Sequence, residues 1–365
     1  MGLASDTPDR HSAFLHPFLS AGLGSLIACF REYGWPDAAY WPRTASLFLV
    51  SALRTLFHRS NARAVSTAPI PPPVFIVGHW RSGTTHLHQL LSRDPQFGYV
   101  TFLQAASPHD FRSPVISRFF AALLPPRRPM DAVRIAPDSP MEEEMALACL
   151  SSLSFYHGFF FPRAARRIYR ESVHFDGVAP ADVERWWHQY RNFLENVQAT
   201  RPGKRLLLKN PANSARVTRL RHEFPGAKFI HLHRHPEKVF ASSLFLHRKL
   251  REAWALQTAN ASELPATVMA NYTDLMRALE AESNRAPKNE WIDVALADLE
   301  NEPLTTLRTI YRQLELPGFN NAAPFFAGSI AEAAAFRKND LWLDAGERVS
   351  LRAALAPIYE RWGYA

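Results

Sequence analysis

At 365 residues, 47% hydrophobic and with nine tryptophans, the chain can bury one large α/β core with helical additions, which excludes wholesale disorder. A net charge of +8, from 42 basic and 34 acidic residues, suits an anionic ligand, an acidic membrane surface or nucleic acid. The basic residues are spread along the chain, which weakens the nucleic-acid reading, and Cys29 and Cys149 form no disulfide framework or metal spacing, so the expected compartment is a reducing cytoplasm.

No basic region precedes a clean apolar stretch at the N-terminus, so no secretory leader is expected. His16, Pro17, Ser20 and Ser25 interrupt the apolar run 13–30, which reads as a helix packed into the core, or else one lying on a membrane surface, rather than one crossing it. Residues 1–68 read as a helical N-terminal segment, either a lid or a membrane-surface element, and 69–365 as an α/β domain. The linker Ala68-Pro-Ile-Pro-Pro-Pro73 separates them, because its prolines rule out helix.

Val74 to Val77 reads as a buried parallel strand ended by Gly78; Gly83, Thr84 and Thr85 follow, then a helical pattern through His86, Leu87, Leu90 and Leu91. Residues 97–137, proline-punctuated and aromatic, suggest loops and short helices over a site. Ser139, Pro140 and Glu142 have the spacing of an N-cap, an N1 proline and a capping-box glutamate, which predicts a helix through Met145, Leu147 and Leu150. A helix over 181–199, a strand Arg205 to Lys209, a helix over 214–224 and a strand Ala227 to His233 follow. A helix from Glu237, a strand Trp291 to Ala295 and a helix over 303–315 complete the series. Strands alternating with helices at this rhythm predict a parallel sheet with helices on both faces.

In such a sheet, ligands bind beyond the carboxyl ends of the strands. Three strands here end in an anion loop or a cation: the 78–85 loop, Lys209 and Arg234. The strand, glycine loop and helix N-terminus form a phosphate cradle, but Thr84 stands where a nucleoside-triphosphate P-loop has its lysine, and Arg81 supplies the cation inside the loop. Arg234 precedes Ser242 by eight residues, so the two can hold a second, separate phosphate.

The loop Gly78-His-Trp-Arg-Ser-Gly-Thr-Thr85 and the segment Arg234 to Ser242 resemble the two nucleotide signatures of the sulfotransferases that use 3′-phosphoadenosine 5′-phosphosulfate (PAPS). Asp138 to Leu147, Leu207 to Asn213, Asp298 to Pro303 and the closing Trp362-Gly-Tyr364 resemble the bacterial branch of this P-loop-like α/β fold. The resemblance covers roughly residues 70–365 and implies in-line sulfuryl transfer to a hydroxyl, with PAPS as co-substrate and no metal. It assigns Arg81 to the leaving bridging oxygen, and Ser82, Gly83, Thr84 and Thr85 to the 5′-phosphate. Arg234 and Ser242 fall to the 3′-phosphate, joined by Arg337 and Lys338 of a late basic turn, and Lys209 to the sulfuryl group in the transition state.

A general base is also needed. Cytosolic relatives carry a histidine where this chain has Pro211, and by position the acidic helix start makes Glu142 and Glu144 the candidates, with His79 and His109 open. Against this, Glu142 as a capping-box residue and Glu142 to Glu144 as a plain acidic first turn are local alternatives. Trp80 reads equally as a stack for adenine or as packing, and the Trp186, Trp187, Tyr190 stripe as core. His231 and His233 are expected to point off a strand rather than to act.

The acceptor is expected to be a small, apolar hydroxylated molecule, possible partners being a lipid or a phenol, because Phe155, Tyr156, Phe159, Phe160 and Phe161 cluster in sequence. The expected setting is cytoplasmic, with peripheral contact at the inner membrane face open. The rival readings are a P-loop phosphotransferase or kinase, and a nucleotide-binding protein without catalysis.

Overall fold

The computed structural model describes residues 16–58, 69–113, 118, 136–333, 343 and 345–364. Its centre is a parallel sheet of β1 (Val74–Val77), β2 (Phe97–Gly98), β3 (Arg205–Lys209), β4 (Lys228–His233) and β5 (Trp291–Ala295), in the order β2-β3-β1-β4-β5. Three of these strands have the bounds read from the sequence, and β4 starts one residue later. The reason is burial: every residue of β1 is buried, and an apolar β-branched run enclosed on both faces has no competing conformation that hides it as well.

Alternation along the strands sorts side chains into two cores. Val74, Ile76, Leu207, Ile230 and Leu232 face one, which helix Pro303–Gln313 covers with Leu307, Ile310 and Tyr311. Phe75, Val77, Leu206, Leu208 and Phe229 face the other, and Phe75 stacks on Phe229 at 5.3 Å. This second core takes in Trp186, Tyr190 and Leu194 of helix Pro180–Ala199, so the aromatic stripe there is core. It also takes in the N-terminal helices α1 (Leu23–Tyr33) and α2 (Trp41–His58), through Leu26, Cys29, Phe30 and Leu47, each fully buried. Each such side chain contributes about 1.5–3 kcal/mol relative to exposure.

β1 lies between β3 and β4, with Ile76 level with Lys209 and with Ile230. The carboxyl ends of three adjacent strands therefore open side by side. Helix α3 (Thr84–Leu91) leaves directly from the loop after β1.

Two local expectations are corrected. The helix expected from Ser139 begins at Glu144, and the capping box does not form. Residues 139–141 instead pair with the chain around Thr101: Phe102 N donates to Ser139 O, Met141 N donates to Val100 O, and Thr101 bridges to Pro140. Ser139 Oγ accepts from Ala136 N, so its hydroxyl caps no helix. The helix expected over 214–224 splits into a 3-10 turn Pro211–Ala215 and a helix Val217–Glu223, because Asn210 caps the turn by accepting from Ala212 N.

Candidate active site

The loop after β1 is shaped by its glycines. Gly78 has φ +135°, and a Cβ there would lie 2.4 Å from Leu232 O; its N–H donates to Ser214 Oγ at 2.8 Å. Gly83 has φ +99° and starts α3 with no side chain capping it. The first N–H groups of a helix have no acceptor within the helix, so this end offers donors to an anion. Ser82 Oγ is buried in the same loop without a hydrogen-bond partner. Arg81 holds φ +74°, a conformation a non-glycine residue adopts at a cost of order 1–3 kcal/mol, characteristic of ligand loops.

Two arginines come together here. Arg234, immediately past β4, donates through Nη1 to Arg81 O at 3.3 Å, and Arg81 Nε donates to Ser242 Oγ at 2.8 Å. Ser242 sits on helix Pro236–Trp254 and is buried. The loop after β1 and the Arg234–Ser242 pair are thus one continuous cationic surface, with Arg81 spanning both. Two arginines linked through the loop backbone and Ser242, an orphaned hydroxyl and an uncapped helix start fit a ligand with more than one anionic group. Arg337 and Lys338 lie outside the described residues.

The acidic segment before helix Glu144–Leu150 carries three consecutive buried carboxylates, each with its own partners. Glu142 accepts from Lys209 Nζ at 2.7 Å through Oε2 and from the Tyr156 hydroxyl at 2.5 Å through Oε1. Lys209 is the last residue of β3 and is itself buried, so the lysine at the strand end and this carboxylate form one pair. Glu144 is held differently. Its Oε1 accepts from Ser154 Oγ (2.9 Å) and Phe155 N (2.8 Å), and its Oε2 accepts from Asn210 Nδ2 (2.8 Å) with Arg216 at 3.7 Å. These bonds tie helix Glu144–Leu150 to the turn after β3, and the structure brings Glu142, not Glu144, to Lys209.

Glu143 accepts from the Tyr190 hydroxyl at 2.8 Å and from Asn213 Nδ2 at 3.2 Å, leaving Oε2 buried without a partner. Burial pushes its carboxyl up to about 7, against its own backbone N–H, the Tyr190 hydroxyl and the Lys209 charge. A carboxyl raised on folding adds stability that is complete below its unfolded value and is lost as pH rises through its folded value. The loss therefore falls between about pH 4.3 and the region of pH 7 and amounts to a few kcal/mol at most. Glu143→Gln should remove it: in thermal unfolding the variant should gain on the wild type from pH 5 to pH 8. A constant difference across that range would contradict a neutral Glu143.

The remaining candidates are placed as follows. His79 is buried, burial lowers its pKa to about 4, and its Nδ1 donates to Trp80 O at 2.8 Å. Trp80 stacks on Phe155 at 4.1 Å, which is packing within the protein. His109 stands next to Asp110, whose carboxylate Arg54 holds at 2.5 Å. His231 pairs with Asp293 at 2.6 Å, and His233 meets the Tyr364 hydroxyl at 2.6 Å and stacks on Trp362 at 4.4 Å, so both anchor neighbouring chain. Tyr156, read from the sequence only as an apolar wall, is the residue missed: nothing in its local pattern announces a partner fourteen residues back. Among the described residues no group of three or more His, Cys, Asp and Glu side chains gathers at metal-binding distance.

Comparison with known proteins identifies the family and the fold. The curated omega-hydroxy-beta-dihydromenaquinone-9 sulfotransferases Stf3 of Mycobacterium bovis and Mycobacterium tuberculosis are each 31% identical over 306 residues, covering 83% of this chain and 78% of theirs. The crystal structure of sulfotransferase STF9 from Mycobacterium avium superposes with TM-score 0.67 at 18% identity, over 94% of this chain and 96% of that one. Sulfotransferase STF1 from Mycobacterium tuberculosis H37Rv gives TM-score 0.65 at 19% identity, over 95% and 92%. At these identities the two structures speak for the fold alone. Residues 72–321, which contain the anion loop, Glu142, Lys209, Arg234 and Ser242, match the family described as the sulfotransferase family, and the chain belongs to it.

Proposed function

We propose that this chain moves a sulfuryl group from PAPS onto the hydroxyl of an apolar, lipid-like acceptor, in the cytoplasm. The observation that carries the reading is the buried Glu142–Lys209 pair beside the anion loop, which puts a proton acceptor and a cation at the end of one strand. When bound, the donor supplies the sulfuryl group: the new bond from sulfur to the acceptor oxygen forms as its bond to the bridging phosphate oxygen breaks, releasing 3′,5′-bisphosphoadenosine.

Glu142 takes the hydroxyl proton, and Tyr156, bonded to the other carboxylate oxygen, fixes its orientation. Lys209 offers its charge to the equatorial oxygens where negative charge spreads. Ser82, Gly83, Thr84 and Thr85 hold the 5′-phosphate with Arg81, whose side chain also reaches Ser242 and so couples the 5′ and 3′ sites. Arg234, Ser242 and, from the late basic turn, Arg337 and Lys338 hold the 3′-phosphate. Phe155, Phe159 and Trp254 surround Tyr156 and give the acceptor side an apolar wall, with Tyr156 stacked on Trp254 at 5.9 Å. An omega-hydroxylated dihydromenaquinone, the molecule named for the Stf3 relatives, is the acceptor class this reading favours.

Calorimetric titration with 3′,5′-bisphosphoadenosine tests the donor site. Binding should not require Mg²⁺, ATP should bind much more weakly, and Arg234→Ala should lower affinity about ten- to a hundredfold, Ser242→Ala somewhat less. Preference for Mg-ATP would replace the reading with a phosphotransferase.

A further inference from the structure

Helix α2 is built inside out relative to an ordinary surface helix. Trp41, Ala45, Leu49 and Leu53 follow one another at intervals of four and so share one face, and all four are exposed, with Leu49 61% and Leu53 46% accessible. Trp35, just before the helix, is 54% accessible. The two charged side chains between Trp41 and Thr55 turn inward instead: Arg43 donates to Ala255 O at 3.1 Å, and Arg54 to Asp110 and Ser20 O. An apolar face kept in water while arginines are spent on the interior needs a low-polarity partner.

Charge and continuity identify that partner. Residues 38–93 hold no Asp or Glu, so no carboxylate of this stretch opposes an anionic surface, and Arg59 and Arg63 follow the helix in sequence. The carboxylates nearest the face, Glu32 and Asp37, are held by Arg167 and Arg163, each at 2.7 Å. The face also leads inward. Trp35 stacks on Phe30 at 5.6 Å, Phe30 stacks on Phe48 at 5.4 Å, and Phe30 meets Phe161 edge-on at 5.3 Å, five residues from the Tyr156 that holds Glu142. Tryptophans at the rim, leucines between them and no free carboxylate nearby are the chemistry of a helix lying in the headgroup region of an anionic bilayer. Among the described residues no helix is long and apolar enough to cross a membrane, which fits contact from one side.

We propose that the face made by Trp35, Trp41, Ala45, Leu49 and Leu53 docks this enzyme onto an anionic lipid bilayer, setting the Phe30–Phe161 aromatic path against the lipid phase. The docking stands on the surface itself, and only its use, delivery of acceptor from the bilayer, rests on the proposed function.

Cosedimentation of the full chain with vesicles tests it, without donor or acceptor. Phosphatidylglycerol-containing vesicles should bring the protein down, pure phosphatidylcholine much less, and Leu49→Glu with Leu53→Glu should weaken binding about tenfold or more. Tryptophan emission should shift to the blue on binding. The double variant should keep wild-type affinity for 3′,5′-bisphosphoadenosine, which shows it folded and separates this test from that of the donor site. The proposal is overturned if the wild type stays in solution, if the double variant sediments as well as the wild type, or if both lipids bind equally. It is also overturned if the chain is a dimer that the double variant splits, which would make the face an interface between copies.

Discussion

Glu142→Gln should lower turnover by about 10²–10⁴-fold while leaving the affinity for 3′,5′-bisphosphoadenosine unchanged. Glutamine keeps the size of the side chain, and its single oxygen can accept from Lys209 while its amide nitrogen donates to the Tyr156 oxygen, but it cannot take the acceptor proton. Because Lys209 and Tyr156 each hold one carboxylate oxygen, at 2.7 and 2.5 Å, Glu142 is oriented before the acceptor arrives. Single-turnover measurement with saturating donor separates the chemical step from binding. Tyr156→Phe should cost less, since it loosens the base without removing it. Full turnover in the glutamine variant would move the proton to another group, with His79 next in line.

The second large effect is on stability. Glu144→Ala should destabilise the fold by about 3–5 kcal/mol, because it strips the buried Arg216 of its countercharge and leaves Ser154 Oγ, Phe155 N and Asn210 Nδ2 without their acceptor. Arg216 has little elsewhere to turn: it is wedged over the Trp186 ring at 4.4 Å and donates to Asn213 Oδ1 and Ser172 O. Urea unfolding should show the midpoint falling steeply, whereas Glu144→Gln, which keeps an acceptor oxygen, should fall by less. A loss under about 1 kcal/mol for the alanine variant would mean that Arg216 is not held by this carboxylate. Glu142 and Glu144 are neighbours told apart by their partners: the first meets Lys209 and Tyr156, as the proposed base would, and the second ties the scaffold through Asn210, Ser154 and Phe155.

That division could not be read along the chain. Ser139-Pro-Met-Glu142 has a real local preference for starting a helix, and a single-sequence reading has to weigh it. In the fold, pairing of 139–141 with the chain around Thr101 wins, the helix starts at Glu144, and Glu142 is released to meet Lys209, sixty-seven residues away. Glu143 looked like one more acidic first-turn residue, and its raised pKa follows from burial that only tertiary packing creates. The glycine loop after β1, and an arginine and a hydroxyl eight residues apart, were legible as patterns because their spacing is local: strand end to helix start in one case, two helical turns in the other. β1, β3 and β4 were legible because a buried parallel strand is a nearly continuous apolar run, whereas the two-residue β2 lies in a stretch read as loops and short helices. What stayed hidden is how Arg81 ties the loop after β1 to helix Pro236–Trp254, since its bond to Ser242 joins residues 161 apart.

The most direct test of sulfuryl transfer is passage of sulfur-35 from labelled PAPS to an omega-hydroxylated isoprenoid quinone presented in vesicles. The same quinone lacking the hydroxyl and a soluble oligosaccharide serve as controls. The account predicts label on the hydroxylated lipid, none on its hydroxyl-free counterpart, little on the sugar, and loss of transfer in Glu142→Gln. Tight donor binding with no label on any hydroxylated acceptor would contradict catalysis, and preferential labelling of the oligosaccharide would contradict the apolar acceptor site.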